Sequence, residues 1–324
     1  INNVNVATYK GTVDLNNFDI GKLTGTTTLG RTTAKLRFDG RGFSQKTVNT
    51  ELSGNISSLH YNGYTYKNVE VSGQLQDPLF NGSLSIDDPN LILSFEGLID
   101  VSDEENIYDF NAQVEYADLY KTNIFTRDSI SIFTGNIAMD MRGTTVDDVK
   151  GVIRISESTY QNLIDDYYFD DILVLSTFEE DIRTIQVISP DVVSGKMTGR
   201  FKLADIPSLF QNSVASIYTN YVPNRTTENQ YVNFNFEIFN KIVEVIIPEI
   251  KIGNNTTIRG SVASDESEFK LNFRSPEITA YDNYIEKINL QVDNNNPLFN
   301  TYVEIDSVDA GFYNFSDISL INVT

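Results

Sequence analysis

The sequence contains no cysteine and only one histidine, His60. Without cysteine there are no disulfides, no thiolate nucleophiles and no Cys/His zinc sites, and a Ser-His-Asp arrangement would have to use His60. We therefore expect no enzymatic activity, no catalytic residue, no metal site and no cofactor.

Positive charge is also scarce, because 24 Lys and Arg stand against 45 Asp and Glu and give a formal charge of −21. Nucleic acids and anionic membrane surfaces would be repelled by this balance, so we expect no nucleic-acid partner. Since 40% of the residues are hydrophobic, the chain can bury apolar surface, and an intrinsically disordered chain is not expected.

Long apolar runs are missing: no stretch approaches the roughly 18 apolar residues that a membrane helix needs. The chain begins Ile1-Asn2-Asn3, without the basic and apolar segments of a secretion signal. We expect it to be an internal segment of a longer protein.

The dominant pattern is alternation of polar and apolar residues, which is typical of strands with one covered and one wet face. It occurs in 34–38, 69–71, 84–86, 91–96, 151–155, 234–238, 243–245, 269–274 and 288–292. Turn signals separate the runs at Asn62-Gly63, Asn81-Gly82, 87–90, Arg142-Gly143, 253–255 and 294–297. Because the amphipathic segments of a βαβ fold are missing between the runs, an antiparallel sheet is predicted.

One segment has a helical period instead. Apolar residues at Phe210, Val214, Ile217, Tyr218 and Tyr221 follow Pro207 and precede a second proline. This spacing predicts one short helix over 206–221, as a helical insertion at 205–222. Its polar face lacks Lys and Arg, which favours packing over an end of the sheet rather than binding to a membrane surface.

A degenerate repeat combines an aromatic residue, a spacer, Asn or Asp, and mostly aliphatic residues. The copies are Tyr66–Val71, Phe169–Val174 and Phe315–Leu320, with a weaker one over Tyr284–Leu290. Irregular placement argues against a tight solenoid and favours an array of similar multi-strand units.

An apolar sheet face must be covered by a second sheet, by closure into a barrel, or by something other than protein. About 25 strands in one sheet would extend for roughly 120 Å. Apart from 220–229, we find no linker-like stretch, which favours one continuous segment over 1–324. The predicted fold is all-β, a long, curled antiparallel sheet with an open hydrophobic groove.

Three blocks carry a resemblance to a known family: Gly11–Leu23, Tyr61–Val69 and Gly82–Leu91. They resemble the repeating strand units of the TamB / AsmA-like family of diderm bacteria, and Gly195–Leu203 is similar to versions from Bacteroidota. The resemblance implies a periplasmic protein anchored in the inner membrane by a part outside this segment, with a BamA-family (TamA-like) outer-membrane barrel as partner. It also implies phospholipid movement between the membranes, support of outer-membrane protein assembly, or both.

A groove of this kind fits the physics of the pattern, since acyl chains gain about 0.8 kcal/mol for each buried CH₂. We expect the partner to be phospholipid acyl chains, and the groove to be lined by Val69, Val71, Leu84, Ile86, Leu91, Leu93, Phe95, Ile153, Ile155, Phe234, Phe236, Ile238, Val243, Val245, Leu271, Phe273, Ile288 and Leu290.

Three alternatives remain open. The same apolar residues could form a dry protein core. Paired acids such as Asp87/Asp88 and Asp170/Asp171 could suggest a glycosidase, although adjacent acids arise by chance in so acidic a chain. The second function class is an extracellular, β-rich adhesin or glycan-binding module that uses the 17 Tyr and 20 Phe.

Overall fold

The structure is a computed structural model. It describes residues 7–42, 48–76, 79–101, 105–215, 222–239, 242–247, 249–265, 268–296, 298 and 300–323. In these residues 19 strands form one long, open antiparallel sheet, accompanied only by short helical elements. The prediction of an all-β fold built on a long antiparallel sheet is confirmed.

The strands are β1 (Thr8–Asp19), β2 (Leu29–Arg41), β3 (Asn49–Tyr61), β4 (Tyr64–Gln76), β5 (Leu79–Asp88), β6 (Leu91–Asp100), β7 (Asn106–Asp118), β8 (Ile132–Gly143), β9 (Lys150–Gln161), β10 (Asp166–Glu179), β11 (Ile182–Ile188), β12 (Val193–Arg200), β13 (Tyr231–Ile238), β14 (Ile250–Ile252), β15 (Thr256–Ala263), β16 (Phe269–Ala280), β17 (Asn283–Asp293), β18 (Thr301–Asp309) and β19 (Asn314–Asn322). The helices are α1 (Ile20–Thr24), α2 (Ile206–Ala215), preceded by a 3-10 turn at Leu203–Asp205, and α3 (Ile242–Ile246).

Strands pair antiparallel with the strand that follows them in sequence, from β1 to β8 and again from β10 to β13 and β15 to β19. The exception is β13, which pairs with β15, while the short β14 pairs with β16. Short connections produce this meander, because a chain that reverses within a few residues can only return antiparallel to itself.

The predicted turns are partly confirmed. Asn62 and Gly63 have φ of 48° and 80° and link β3 to β4, as expected for an Asn-Gly hairpin turn. Asn81-Gly82 is not a turn, since both residues lie inside β5, where Gly82 is opposite Gly73 and Gly97. Strands therefore run longer than the turn signals suggest, up to 14 residues in β10, and the described residues hold fewer strands than expected.

The prediction of a strand at 243–245 is wrong. These residues belong to α3, where the Ile247 amide donates to the Val243 carbonyl at 2.7 Å in helical spacing. The side chain of Glu244 is buried with Lys251 Nζ 3.4 Å from it. Three alternating residues are too few to separate a strand from one helical turn.

The predicted helix begins where expected, at Ile206, with Pro207 as its second residue. Proline is tolerated there because the first turn of a helix has no internal acceptor for its amide. Within the described residues α2 extends to Ala215, and 216–221 lie outside them. None of the described helices has the length and apolar character needed to cross a bilayer.

The sequence repeat corresponds to a recurring backbone feature, a left-handed residue inside a strand whose register stays the same on either side. Asn68, Lys287 and Asp317 have φ of 49°, 47° and 55°, and the strand register skips each of them. Asn and Asp tolerate this left-handed conformation better than most residues, which explains their place in the repeat. In the copy over 169–174, Asp171 does not have positive φ.

The chain divides into two compact units: unit 1 comprises 1–144 and 153–169, and unit 2 comprises 145–152 and 170–324. Each has its own buried apolar cluster. The unit 1 cluster consists of Tyr66, Val69, Leu91, Val114 and Ala117. The unit 2 cluster consists of Phe201, Leu209, Val232, Phe234, Val262, Phe269 and Val292.

Candidate functional site

In unit 1 the strand registers place apolar side chains in continuous rows across the sheet. Directly opposed residues on neighbouring strands share a face, so a row can be followed from β4 to β8. One row is Val71, Leu84, Phe95, Ala112 and Ile137. The adjacent row, from β3 to β7, is Ile56, Val69, Ile86, Leu93 and Val114. Six of the predicted lining residues therefore lie together on one face.

Unit 2 has equivalent rows. The longest crosses β13, β15, β16, β17, β18 and β19 and consists of Phe236, Ile258, Phe273, Leu290, Val303 and Leu320. Phe234 and Leu271 belong to the neighbouring row through Gly260. Ile288 is opposite Ile305, and Ile238 is opposite Val193. The lining residues predicted in β13, β16 and β17 thus share the apolar face of unit 2.

The remaining predicted residues have different positions. Leu91 is buried beside Ala117 near the β5–β6 turn. Ile153 and Ile155 are half-buried in β9. Val243 and Val245 lie in α3 and belong to no strand row, so they do not fit a lining built from strands.

In unit 1 one end of the apolar face is covered by the β7–β8 connection, residues 119–131. The Tyr66 hydroxyl donates to the Thr122 carbonyl at 3.3 Å across this cover, and Leu119 packs on the apolar cluster. Nearby, Tyr64 donates at 2.5 Å to Asp88, which is only 1% exposed. Burial, helped by the Asp88 carboxylate, raises the pKa of Tyr64, so the phenol stays protonated and keeps donating.

In unit 2 the corresponding cover is α2. Leu209 is 1% exposed within the apolar cluster, and the rings of Phe210 and Phe234 are 5.1 Å apart. The helix is held by polar contacts: the Asn212 side chain and the Asn224 backbone exchange hydrogen bonds of 2.8 and 2.9 Å. The row from Phe236 to Val303 is half-buried, and Leu320 at its end is exposed.

A cavity of about 1080 Å³ lies in unit 1, and strand alternation places its polar side chains on the face opposite to the apolar rows. The polar residues that flank the row containing Val71, Leu84 and Phe95 form its walls. We call this cavity the polar furrow. It is lined by serines (Ser72, Ser83, Ser85, Ser94, Ser156), amides (Asn55, Asn111, Gln113, Asn136), carboxylates (Glu70, Glu96, Glu157) and Arg154, with Gly54, Val71, Leu84, Phe95, Ala112, Ile137 and Ala138 completing the lining.

Small side chains at the centre explain the shape of the polar furrow. Ser72 is opposite Ser83, and Ser85 is opposite Ser94, so two pairs of short side chains are adjacent. Longer side chains flank them on the neighbouring strands. At one end, Asn136 Nδ2 donates to Glu157 Oε2 at 3.3 Å, and Glu157 has φ of 48°.

The polar furrow is a feature that reasoning from the sequence missed, although a signal for it exists. Once the apolar residues of 69–71, 84–86 and 91–96 are assigned to one face, the residues between them must share the other face. Those residues are two serines (Ser85, Ser94), two glutamates (Glu70, Glu96) and Ile92, which predicts a mainly polar surface with short hydroxyl side chains at its centre. Among the described residues no group of acidic or histidine side chains is arranged to hold a metal ion.

Comparisons with protein-family models, with curated proteins and with solved structures found no match to this chain.

Proposed function

We propose that the apolar face of the sheet binds phospholipid acyl chains. On this proposal the chain is a segment of a periplasmic envelope protein that passes phospholipids between the inner and outer membranes. Such a protein would be anchored in the inner membrane outside this segment, and a BamA-family barrel would be its outer-membrane partner, with support of protein assembly as a second duty. No catalytic step is needed for this function.

The observation that carries the proposal is the unbroken apolar row, in described residues whose 19 strands all belong to one sheet. In unit 2 the row from Phe236 to Leu320 crosses six strands. At about 4.8 Å per strand its length is roughly 24 Å, longer than the roughly 15 Å that one leaflet contributes to a bilayer core. A lipid tail could therefore lie along the row for its whole length.

The partial covers in the two units are compatible with this role. The covers bury the apolar clusters around Val69 and Phe234. The side chains of the neighbouring rows are only half-buried, so they are not fully packed against other protein side chains. Half-buried aliphatic and Phe side chains can exchange water for hydrocarbon without unfolding. The envelope location and the membrane partners rest on the family resemblance of the sequence blocks.

The test compares substitutions on the two faces of the same strand. Leu93→Arg and Phe236→Arg place a charge in an apolar row, whereas Ser94→Arg and Asn235→Arg place the same charge on the neighbouring wet positions. If each apolar position contacts about two methylenes, the lost contact is worth about 1.6 kcal/mol, or roughly fifteenfold in affinity. The purified chain is incubated with phosphatidylethanolamine vesicles, and bound lipid is counted by native mass spectrometry.

We expect lipid on the wild type and on Ser94→Arg and Asn235→Arg, and much less on the two apolar-face variants. Far-UV circular dichroism checks that each variant keeps its strands. Absence of lipid from the wild type, or equal loss from both faces, would contradict the proposal. Global unfolding of Leu93→Arg and Phe236→Arg would instead support a dry protein core.

A further inference from the structure

We infer that the polar furrow of unit 1 binds a linear, uncharged oligosaccharide. This site is on the face opposite to the apolar rows, and it does not depend on the proposed lipid function. The inference rests on the size of the furrow and on the chemistry of its lining. It also rests on the strands beneath the furrow, whose backbone groups between Ser85, Ser94 and Gln113 are already paired with one another.

The volume is sufficient for a ligand of several sugar units. The cavity of about 1080 Å³ slightly exceeds the roughly 300–1,000 Å³ common for small-molecule sites. It extends from Asn55 on β3 to Arg154 on β9, across seven strands. Six strand spacings of about 4.8 Å make the furrow roughly 29 Å long, which fits a linear ligand better than a compact one.

The lining selects for a ligand rich in hydroxyls. Serine hydroxyls and Asn or Gln amides both donate and accept, and carboxylates accept, so neighbouring hydroxyls of a sugar find both kinds of partner. The lining contains three carboxylates and one guanidinium, that of Arg154, so its formal charge is −2 (1 − 3). This charge disfavours phosphorylated ligands, including lipid headgroups and nucleic acids.

The same features disfavour a peptide. The backbone groups between Ser85 and Ser94, and between Ser94 and Gln113, are engaged in antiparallel ladders, so an extended peptide could not add itself as a strand. Val71, Leu84 and Phe95 border the furrow, but strand alternation directs their side chains to the other face. The furrow therefore offers no deep pocket for the aromatic or aliphatic anchors that dominate peptide binding.

The experiment measures binding of three neutral hexasaccharides, maltohexaose, cellohexaose and chitohexaose, by isothermal titration calorimetry. The blocking variant is Ser85→Ile/Ser94→Ile, which removes two opposed hydroxyls and fills the centre with side chains that favour strands. Ser319→Ile on β19 is the matched control, because Ser319 is an exposed strand residue outside the furrow. Sodium polyphosphate is the anionic comparison.

We expect at least one hexasaccharide to bind the wild type and Ser319→Ile equally, and to bind the double variant at least tenfold more weakly. The single variant Ser94→Val gives the same comparison if the double variant does not fold. Failure of all three hexasaccharides to bind the wild type, or binding that survives the blocking variants, overturns the inference. Polyphosphate binding that the blocking variants abolish also overturns it. Lipid binding by the same variants is scored separately, so the two proposals can fail independently.

Discussion

Arg183 on β11 is the most deeply buried cation among the described residues, at 2% exposure. Its Nη1 donates to the carbonyls of Val146 and Asp147 at 2.9 and 3.3 Å, and its Nη2 donates to Val149 at 3.1 Å. Its Nε donates to the Ser176 hydroxyl at 3.0 Å. The guanidinium therefore fixes the connection between β8 and β9 to the sheet of unit 2.

We predict that Arg183→Met lowers the free energy of unfolding by about 3 kcal/mol. The Val149 carbonyl keeps a second donor, the Ser176 hydroxyl at 2.7 Å, but the carbonyls of Val146 and Asp147 each lose the Arg183 donor. A hydrogen bond from a charged donor contributes about 1.5–3 kcal/mol, so two such bonds at about 1.5 kcal/mol each give the estimate. Burial lowers the pKa of Arg183, which indicates a desolvation cost that methionine removes and that keeps the estimate near the lower half of the range.

The measurement is urea unfolding followed by far-UV circular dichroism, with amide hydrogen exchange in 145–149 as a local readout. Arg200→Met is the matched control, because Arg200 is 49% exposed and forms only a surface ion pair with Asp181. We expect the control to change the free energy by less than about 1 kcal/mol. If Arg183→Met were no less stable than Arg200→Met, or left exchange in 145–149 unchanged, the reasoning would be refuted.

Two further predictions concern the left-handed strand residues and the support of α2. Asn68→Val should lower the free energy of unfolding by about 1–2 kcal/mol, because a β-branched residue resists the left-handed conformation. Glu70→Val, two residues on, should change it by less than about 0.5 kcal/mol, and equal effects in urea unfolding would show that the left-handed conformation at position 68 carries no such cost. Hydrogen bonds from Thr227 and Gln230 lower the pKa of Asp205, so its contribution to stability is present above its unfolded pKa of about 3.9 and is lost as pH falls through the lower folded value. The difference in melting temperature between wild type and Asp205→Asn should shrink over that range, and a constant difference would contradict it.

Alternation was enough to predict most of the sheet. The runs 84–86, 91–96, 234–238, 269–274 and 288–292 all lie in strands, and apart from Ile92 the apolar residues of each run share one face. These predictions succeeded because consecutive strands are antiparallel and in register, so the face of each strand is set by parity alone.

Short or locally ambiguous signals failed for identifiable reasons. Val243 and Val245 fit a strand and a helical turn equally well, and only the backbone hydrogen bond to Ile247 distinguishes the two. Asn81-Gly82 has the composition of a tight turn, yet Gly82 lies inside a strand. Glycine is needed there because the neighbouring strand is close: a Cβ at position 82 would fall 2.5 Å from the Cα of Gly73. Such a requirement depends on a neighbouring strand and cannot be read from the dipeptide.

The polar furrow could not be predicted from the residues of any single strand. It depends on Ser72, Ser83, Ser85 and Ser94 being opposed in pairs, and therefore on the register of β4, β5 and β6. The extent of the covers over the apolar face was similarly hidden. Residues 119–131 carry no helical or strand period that would place them on Tyr66.

Pairing of each strand with its successor has a consequence for how such a chain changes over evolution. A hairpin inserted into or removed from a run such as β3–β8 disturbs only two interfaces, because the strands beyond it keep the partners they had. Length can thus vary in steps of two strands while both faces keep their chemistry. Pairing between successive strands also keeps the entropy lost on loop closure small during folding. Separate groups of neighbouring strands can therefore form early and join later.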